Sequence, residues 1–315
     1  MARTRYAPDR GLTARMTATM FLLGLVFVVF IALIIGIGAA THSSTGIIAL
    51  FAIVLGGGML IGSLFFSDRI AMAAAGAREV QPNEGEYARL LHGTVDRLCA
   101  LADMPKPRVA IADTDMPNAF ATGRNADHAV VCATTGLMRR LTPEELEGVL
   151  AHEMSHVAHK DVTVMTVASF LAIVAGLMVR MAFYSELFGG GRRNNNDNAA
   201  LVIFGIMIVS VVVYAVSFLL IRLLSRYREL AADRSGALLT GQPSALKSAL
   251  IKVSGDIARI PTRDLRTAEP LNAFFFAPAM SLQGGASLSR IFSTHPTLER
   301  RLEELDKVQR QLSQR

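Results

Sequence analysis

The sequence predicts a membrane α-helical protein that also carries an α+β polar domain: four transmembrane helices, the second pair splitting the polar domain in two. Three observations predict it. Of 315 residues, 51% are hydrophobic and 18% charged, against about 25% charged in a soluble domain. The deficit is concentrated, since residues 16–67 contain no Lys, Arg, Asp or Glu. The residues outside the apolar runs carry helix and strand patterns and are numerous enough for one compact core.

A helical span needs about 20 apolar residues. Residues 16–67 hold two, with Thr41-His42-Ser43-Ser44-Thr45 as the polar turn between them. A third run covers 162–179 and a fourth 199–221, separated by a Gly- and Asn-rich loop at 189–197. The third is the shortest, with Thr163, Thr166 and Ser169 near its start, and a buried helix or interfacial hairpin is its alternative. The first run exceeds a signal-peptide core and a second follows at once, so it reads as a span rather than a cleaved leader. The expected order is an N-terminal segment 1–15, a transmembrane hairpin 16–66, a polar segment 67–161, a second hairpin 162–221 and a second polar segment 222–315. The two polar segments would fold together as one discontinuous domain.

Orientation follows from the basic residues. Arg3, Arg5, Arg10 and Arg15 precede the first span, Arg69 and Arg78 follow the second, and Arg222, Arg226 and Arg228 follow the fourth. The 41–45 turn has no Lys or Arg. This places the N-terminus and both polar segments in the cytoplasm, in a multi-pass cell-membrane protein. Arg180, Arg192 and Arg193 oppose the rule and are fewer. The net charge of +6 is then a matter of membrane orientation. A nucleic-acid partner would call for a basic face with interleaved aromatics, which the sequence does not show. Cys99 and Cys132 form no C-x-x-C pair, so neither a disulfide framework nor a thiolate metal site is expected, and both should be reduced and buried.

In the segment 67–161, Tyr87, Leu90, Leu91, Val95, Leu98 and Leu101 recur at helical spacing over 84–103. Pro105 and Pro107 end that pattern. Strands follow at 108–112, 118–123 and 129–133, the last two joined by a turn at 124–128 as a hairpin. A small antiparallel sheet is expected. Thr142 then caps a helix, with Pro143 at its first position and Glu145 completing a capping box. Leu146, Val149 and Leu150 give that helix an apolar stripe.

The same helix carries His152-Glu153-Met154-Ser155-His156. Positions i and i+4 share a helical face, so His152 and His156 can reach one metal, and Glu153 can meet a water on it as general base. A catalytic zinc takes three protein ligands and keeps a fourth position open. Downstream, Glu229 and Asp233 form an i, i+4 carboxylate pair. Alone, they would read as solvated helix charges near Arg226 and Arg228. Beside His-Glu-x-x-His in one polar domain, Glu229 reads as the third ligand and Asp233 as hydrogen-bond partner to a ligand histidine. The second hairpin separates these ligands in sequence and would return them to the membrane surface together. His159 would close the site as a fourth ligand and is kept off the metal. Asp161, near the membrane boundary, reads equally as a helix-end or hydrogen-bonding residue and as a catalytic one.

Together with Ser293-Thr294-His295-Pro296-Thr297-Leu298-Glu299-Arg300-Arg301 and Pro117-Asn118-Ala119-Phe120-Ala121-Thr122-Gly123, these motifs resemble the HtpX family of membrane-bound zinc metalloproteases, relatives of the CAAX prenyl endopeptidases. The resemblance covers nearly the whole chain. It implies a gluzincin-like fold and one Zn2+ per chain on His152, His156 and Glu229, with Glu153 catalytic. It also implies that His295 donates to the tetrahedral intermediate, with Arg301 supporting the site. Asn118, Ala119 and Phe120 would be an edge strand pairing with extended substrate. The implied role is quality control, cutting misfolded or damaged membrane proteins at cytoplasmic sites. Its partners are then polypeptides and the lipid bilayer; the sequence sets no oligomeric state.

Outside the resemblance, His295 and Arg301 are a helix-start histidine and a surface charge, and the stretch from Leu298 onwards is a charged amphipathic helix. Phe274-Phe275-Phe276 is an apolar loop of open purpose. Two other readings compete. An intramembrane zinc protease would bury the motif in a span, but charge flanks it here. A non-catalytic membrane scaffold or chaperone partner would have lost Glu153 or a ligand, and all are present.

Overall fold

The computed structural model describes residues 10–40, 45–188, 197–259 and 295–314. The turn at 41–44, the loop at 189–196, Phe274-Phe275-Phe276 and Ser293-Thr294 lie outside them. The elements are α1 (Arg10–Ala40), α2 (Thr45–Ala74), β1 (Ala77–Glu79), α3 (Glu86–Ala102), β2 (Arg108–Ala112), β3 (Ala119–Thr122), β4 (Val130–Thr134), α4 (Thr135–Arg140), α5 (Pro143–Ala158), α6 (Asp161–Phe188), α7 (Asp197–Thr240), α8 (Pro243–Arg259) and α9 (Leu298–Ser313). They form two compact units. One comprises the described residues of Met1–Ala14, Leu64–Thr163 and Ser225–Arg315, the other Arg15–Ser63 and Val164–Leu224.

In the second unit, α1, α2, α6 and α7 bury a common core that includes Leu23, Phe30, Ile34, Ala52, Leu171, Val174 and Ile206. Phe21, Val28, Val54 and Phe204 are more than half exposed, a surface suited to lipid. Four helical stretches are long and apolar enough to cross a membrane: Arg10–Ile37, Leu50–Ala74, Asp161–Met181 and Ile203–Thr240. The third comprises 21 residues, or about 30 Å at 1.5 Å per residue, which matches a hydrocarbon core. The sequence pattern ends that run at 179, whereas α6 continues past Arg180 because one charge does not break helical hydrogen bonding. Likewise α7 does not stop at 221; it runs on as one helix through Glu229 and Asp233.

The first unit is built on a four-stranded sheet of order β1-β2-β4-β3. The hairpin of β3 and β4 is antiparallel, but β2 pairs with β4 in parallel. The sheet is thus mixed, and the expectation of an antiparallel sheet is corrected. Alternating apolar residues mark which segments are strands; they do not say which strand lies beside which. Here β3 folds out to the edge and β4 returns between it and β2. The strand β1 has no sequence signature because Ala77-Arg78-Glu79 is short and mostly charged. Gly123 leaves β3 at φ +140, and a Cβ there would stand 2.6 Å from the His128 carbonyl oxygen, so only glycine fits the turn.

Both sheet faces are covered. Val109, Ile111, Val131 and Ala133 join Leu91, Val95 and Leu98 of α3, Leu146, Val149, Leu150 and Met154 of α5, Leu246 and Val253 of α8, and Leu305 and Val308 of α9 in one core. Ala110, Ala112, Phe120, Val130 and Cys132 form a smaller cluster on the other face with Ala71. The motif helix α5 is consequently fixed on several sides. Its capping box is present: Glu145 Oε2 accepts from the Thr142 N–H at 2.9 Å, and Thr142 Oγ1 accepts from the Glu145 N–H. Glu145 is further held by Ser248 at 2.6 Å and Lys252 at 2.8 Å, which ties the start of α5 to α8.

Candidate metal centre

Helix α5 presents His152 and His156 one turn apart, and α7 crosses it at Gly236. A Cβ at Gly236 would come within 2.8 Å of the His152 backbone nitrogen, so the two backbones touch at a place where only glycine fits. One turn and two turns back along α7 stand Asp233 and Glu229, which this close approach delivers to the two histidines.

The three ligand-type atoms of His152, His156 and Glu229 lie within 4.8 Å of one another. The Nε2 atoms of the two histidines are 3.2 Å apart. Glu229 Oε2 is 3.7 Å from His152 Nε2, and Glu229 Oε1 is 3.4 Å from His156 Nε2. A tetrahedral site with arms of about 2.1 Å has edges of about 3.4 Å, so the donor set fits a metal ion in both chemistry and spacing. Two ring nitrogens and a carboxylate converging this closely need a shared cation, either a proton or a metal.

The far sides of both rings face carboxylates. His152 Nδ1 is 2.9 Å from Asp233 Oδ1, and His156 Nδ1 is 2.6 Å from Asp161 Oδ2. These partners assign the ring proton to Nδ1 and turn each Nε2 lone pair inward. Burial pulls the His152 pKa below the ordinary imidazole value, although Asp233 opposes it. Burial also works against charge on His156, yet the Asp161 hydrogen bond and the Glu229 carboxylate outweigh it and hold that pKa above the ordinary value.

Glu153 is buried, and burial pushes its carboxyl up to about 8, with His156 opposing and Glu229 adding to the rise. Its Oε2 accepts from the backbone N–H of Ala121 at 3.1 Å, which joins the motif helix to β3. His295 Nδ1 lies 3.0 Å from Glu229 Oε2. Arg301, only 1% exposed, reaches both oxygens of Asp233.

The structure therefore gathers His152, Glu153, His156, Glu229, Asp233, His295 and Arg301 into one cluster, all buried except the half-buried His156. Asn118, Ala119 and Phe120 lie apart from the ligands, on or beside β3, and touch the cluster through the next residue, Ala121. They are 8%, 1% and 3% exposed. Asn118 turns its backbone to β4, accepting from the Thr134 N–H at 2.9 Å. His159 caps the end of α5, its N–H donating to Ser155. Sequence reasoning leaves Asp161 undecided and does not single out Arg228, which lies 2.9 Å from Asp161. The only signal is a carboxylate five residues past His156, and it becomes meaningful only once the turn between α5 and α6 is known.

A protease HtpX homolog from Streptomyces coelicolor is 58% identical over 312 residues, covering 99% of this chain and 97% of that protein. One from Moorella thermoacetica is 52% identical over 314 residues, covering 99% of each. The fold is similar to the crystal structure of S. mikatae Ste24p, with a TM-score of 0.52 at 18% identity over 95% of this chain and 67% of that one. The family model described as Peptidase family M48 matches residues 86–309, from the start of α3 to α9 and through every candidate ligand, and this multi-pass membrane protein belongs to peptidase family M48.

Proposed function

We propose that the chain is a membrane-anchored zinc-dependent endopeptidase that cuts misfolded or damaged membrane proteins at cytoplasmic sites. The observation that carries this reading is the convergence of His152, His156 and Glu229 at separations of 3.2 to 3.7 Å beside a buried glutamate. These three residues would hold one Zn2+ per chain. Zinc, when bound, supplies a Lewis acid for a peptide carbonyl and makes water acidic near neutral pH.

The remaining chemistry falls to side chains. Glu153, buried beside the ligand pair, is assigned the proton transfers: its carboxylate takes a proton from the attacking water and its carboxyl returns it to the leaving amine. The Ala121 N–H fixes one of its oxygens. His295, anchored at Glu229, is assigned the hydrogen bond to the developing oxyanion. Asp233 and Arg301 hold the His152 ring. Asn118, Ala119 and Phe120 are assigned the edge that receives an extended substrate by strand pairing. The cytoplasmic placement rests on Arg69, Arg78, Arg222, Arg226 and Arg228 beside the spans.

An intramembrane protease would carry its histidines on a lipid-embedded helix. Here they sit on α5, which packs among α3, α8 and the sheet. The test is zinc content and casein cleavage of the purified chain in detergent. Glu153→Gln is expected to keep zinc and lose cleavage by about 10²-fold or more, and equal cleavage would sink the enzyme reading. Glu229→Ala is expected to lose zinc; full retention would remove it from the ligand set. Glu153→Gln in the native membrane should retain membrane proteins with damaged cytoplasmic segments.

A further inference from the structure

We propose that Asp161 is a positioning residue for the metal centre, holding the ring of His156, and that Arg228 holds Asp161 in turn. The proposal rests on the ligand assignment above. Asp161 Oδ2 accepts from His156 Nδ1 at 2.6 Å and from Arg228 Nη2 at 2.9 Å. The Asp161 side chain is 1% exposed and that of Arg228 11%, so both charges are shielded from water and depend on each other.

The backbone is shaped for this contact. Helix α5 ends at Ala158, and the His159 and Lys160 N–H groups close its last turn onto Ser155 and Val157. Lys160 then adopts a left-handed conformation, φ 55, which most side chains avoid. That reversal starts α6 at Asp161 and returns its carboxylate to the ring five residues back. A lysine held in this conformation is a local cost, and the His156 contact is what it delivers.

The arrangement repeats what surrounds the other ligand. His152, Asp233 and Arg301 form the same imidazole–carboxylate–guanidinium chain. In each case the carboxylate fixes the proton on Nδ1 and leaves Nε2 for a metal. The two chains differ in grip. Arg301 engages both oxygens of Asp233, whereas Arg228 and His156 both use Oδ2 of Asp161. The His156 arm is thus held at a single point and is the more easily disturbed.

A purely structural role, stapling the start of α6 to Arg228, makes different predictions. The experiment uses the full chain in detergent. It measures Zn2+ affinity by competition with a chromophoric chelator, the visible spectrum with Co2+ in place of zinc, and the melting midpoint with chelator present. Asp161→Asn is expected to weaken zinc binding about 10- to 100-fold and to shift the Co2+ spectrum. The double variant Asp161→Asn with Arg228→Gln removes the unpaired guanidinium and should recover the midpoint without recovering zinc affinity. Arg228→Gln alone should weaken binding several-fold, and it keeps the test open if Asp161→Asn does not fold. Wild-type affinity in Asp161→Asn or in Arg228→Gln would overturn the proposal. So would zinc affinity that returns together with the midpoint in the double variant. His156→Ala separates the two levels. If it loses zinc while Asp161→Asn does not, the positioning role alone fails; if it keeps zinc, the ligand reading fails and takes this proposal with it.

Discussion

Arg301 donates from Nε and Nη2 to the two oxygens of Asp233 at 2.8 and 2.7 Å, and both side chains are buried. The same carboxylate meets His152 Nδ1 at 2.9 Å. One guanidinium on α9 thereby fixes a carboxylate on α7 that fixes a ring on α5. Removing one partner of a buried pair leaves an uncompensated charge, at a cost of about 3–5 kcal/mol. Arg301→Ala should therefore lower both the melting midpoint and zinc content. Arg301→Lys should rescue little, because an ammonium cannot grip both oxygens in one plane. Recovery with lysine would show that charge alone matters.

Metal removal should destabilise the first unit. A ligand bound only by the folded state adds about 2.7 kcal/mol at 100 times its dissociation constant. The wild-type melting midpoint should fall when a chelator is added, and that of His156→Ala should not respond. An unchanged wild-type midpoint would mean that the triad holds no metal under those conditions.

Two helical glycines predict shifts of opposite sign. A Cβ on Gly236 would stand 2.8 Å from the His152 nitrogen and 3.0 Å from the Ala151 carbonyl carbon. Both contacts are backbone and cannot rotate away. Gly236→Ala should destabilise by about 1–3 kcal/mol, the cost of overpacking, and weaken zinc binding by moving α7 off α5. At Gly255 in α8 nothing stands within 4 Å, so Gly255→Ala should stabilise by about 0.5–1 kcal/mol. Thermal melts of the two variants decide it.

The features of the fold that sequence reveals are those set by local pattern. The span hairpins, the α3 stripe and the capping box at Thr142 and Glu145 all depend on residues within a turn or two of one another. The candidate triad is legible for the same reason: His152 with His156, and Glu229 with Asp233, are each i, i+4 pairs. What is not legible depends on distant neighbours. The parallel pairing of β2 with β4 is decided by where β3 folds, and the Ala121 N–H on Glu153 by which helix packs against that edge. Asp161 needs the left-handed turn at Lys160, and no residue type announces that turn, since lysine is not a residue that favours it. Gly236 looks like a flaw in a helix interior until α5 is seen pressed against it.

Glu145 sets a pH dependence well away from the ligands. Burial raises its carboxyl pKa, but hydrogen bonds from Lys252, Ser248 and the Thr142 N–H prevail and hold it below the ordinary value of 4.5. The folded carboxyl therefore ionises more readily than the unfolded one. Its contribution to stability is full above pH 4.5 and is lost as the pH falls through the folded value. Glu145→Gln keeps the shape and removes the charge, so it loses the charge-assisted bonds to Lys252 and Ser248 at every pH. At neutral pH it should be less stable than wild type by about 1–2 kcal/mol, because hydrogen bonds to a neutral amide are weaker than those to a carboxylate. The gap should narrow as both proteins are melted at successively lower pH below 4.5, where wild type becomes protonated. A gap that stays constant from neutral to acid pH would show that the carboxyl is not ionised in the fold, and that the tie between α5 and α8 is carried by packing alone.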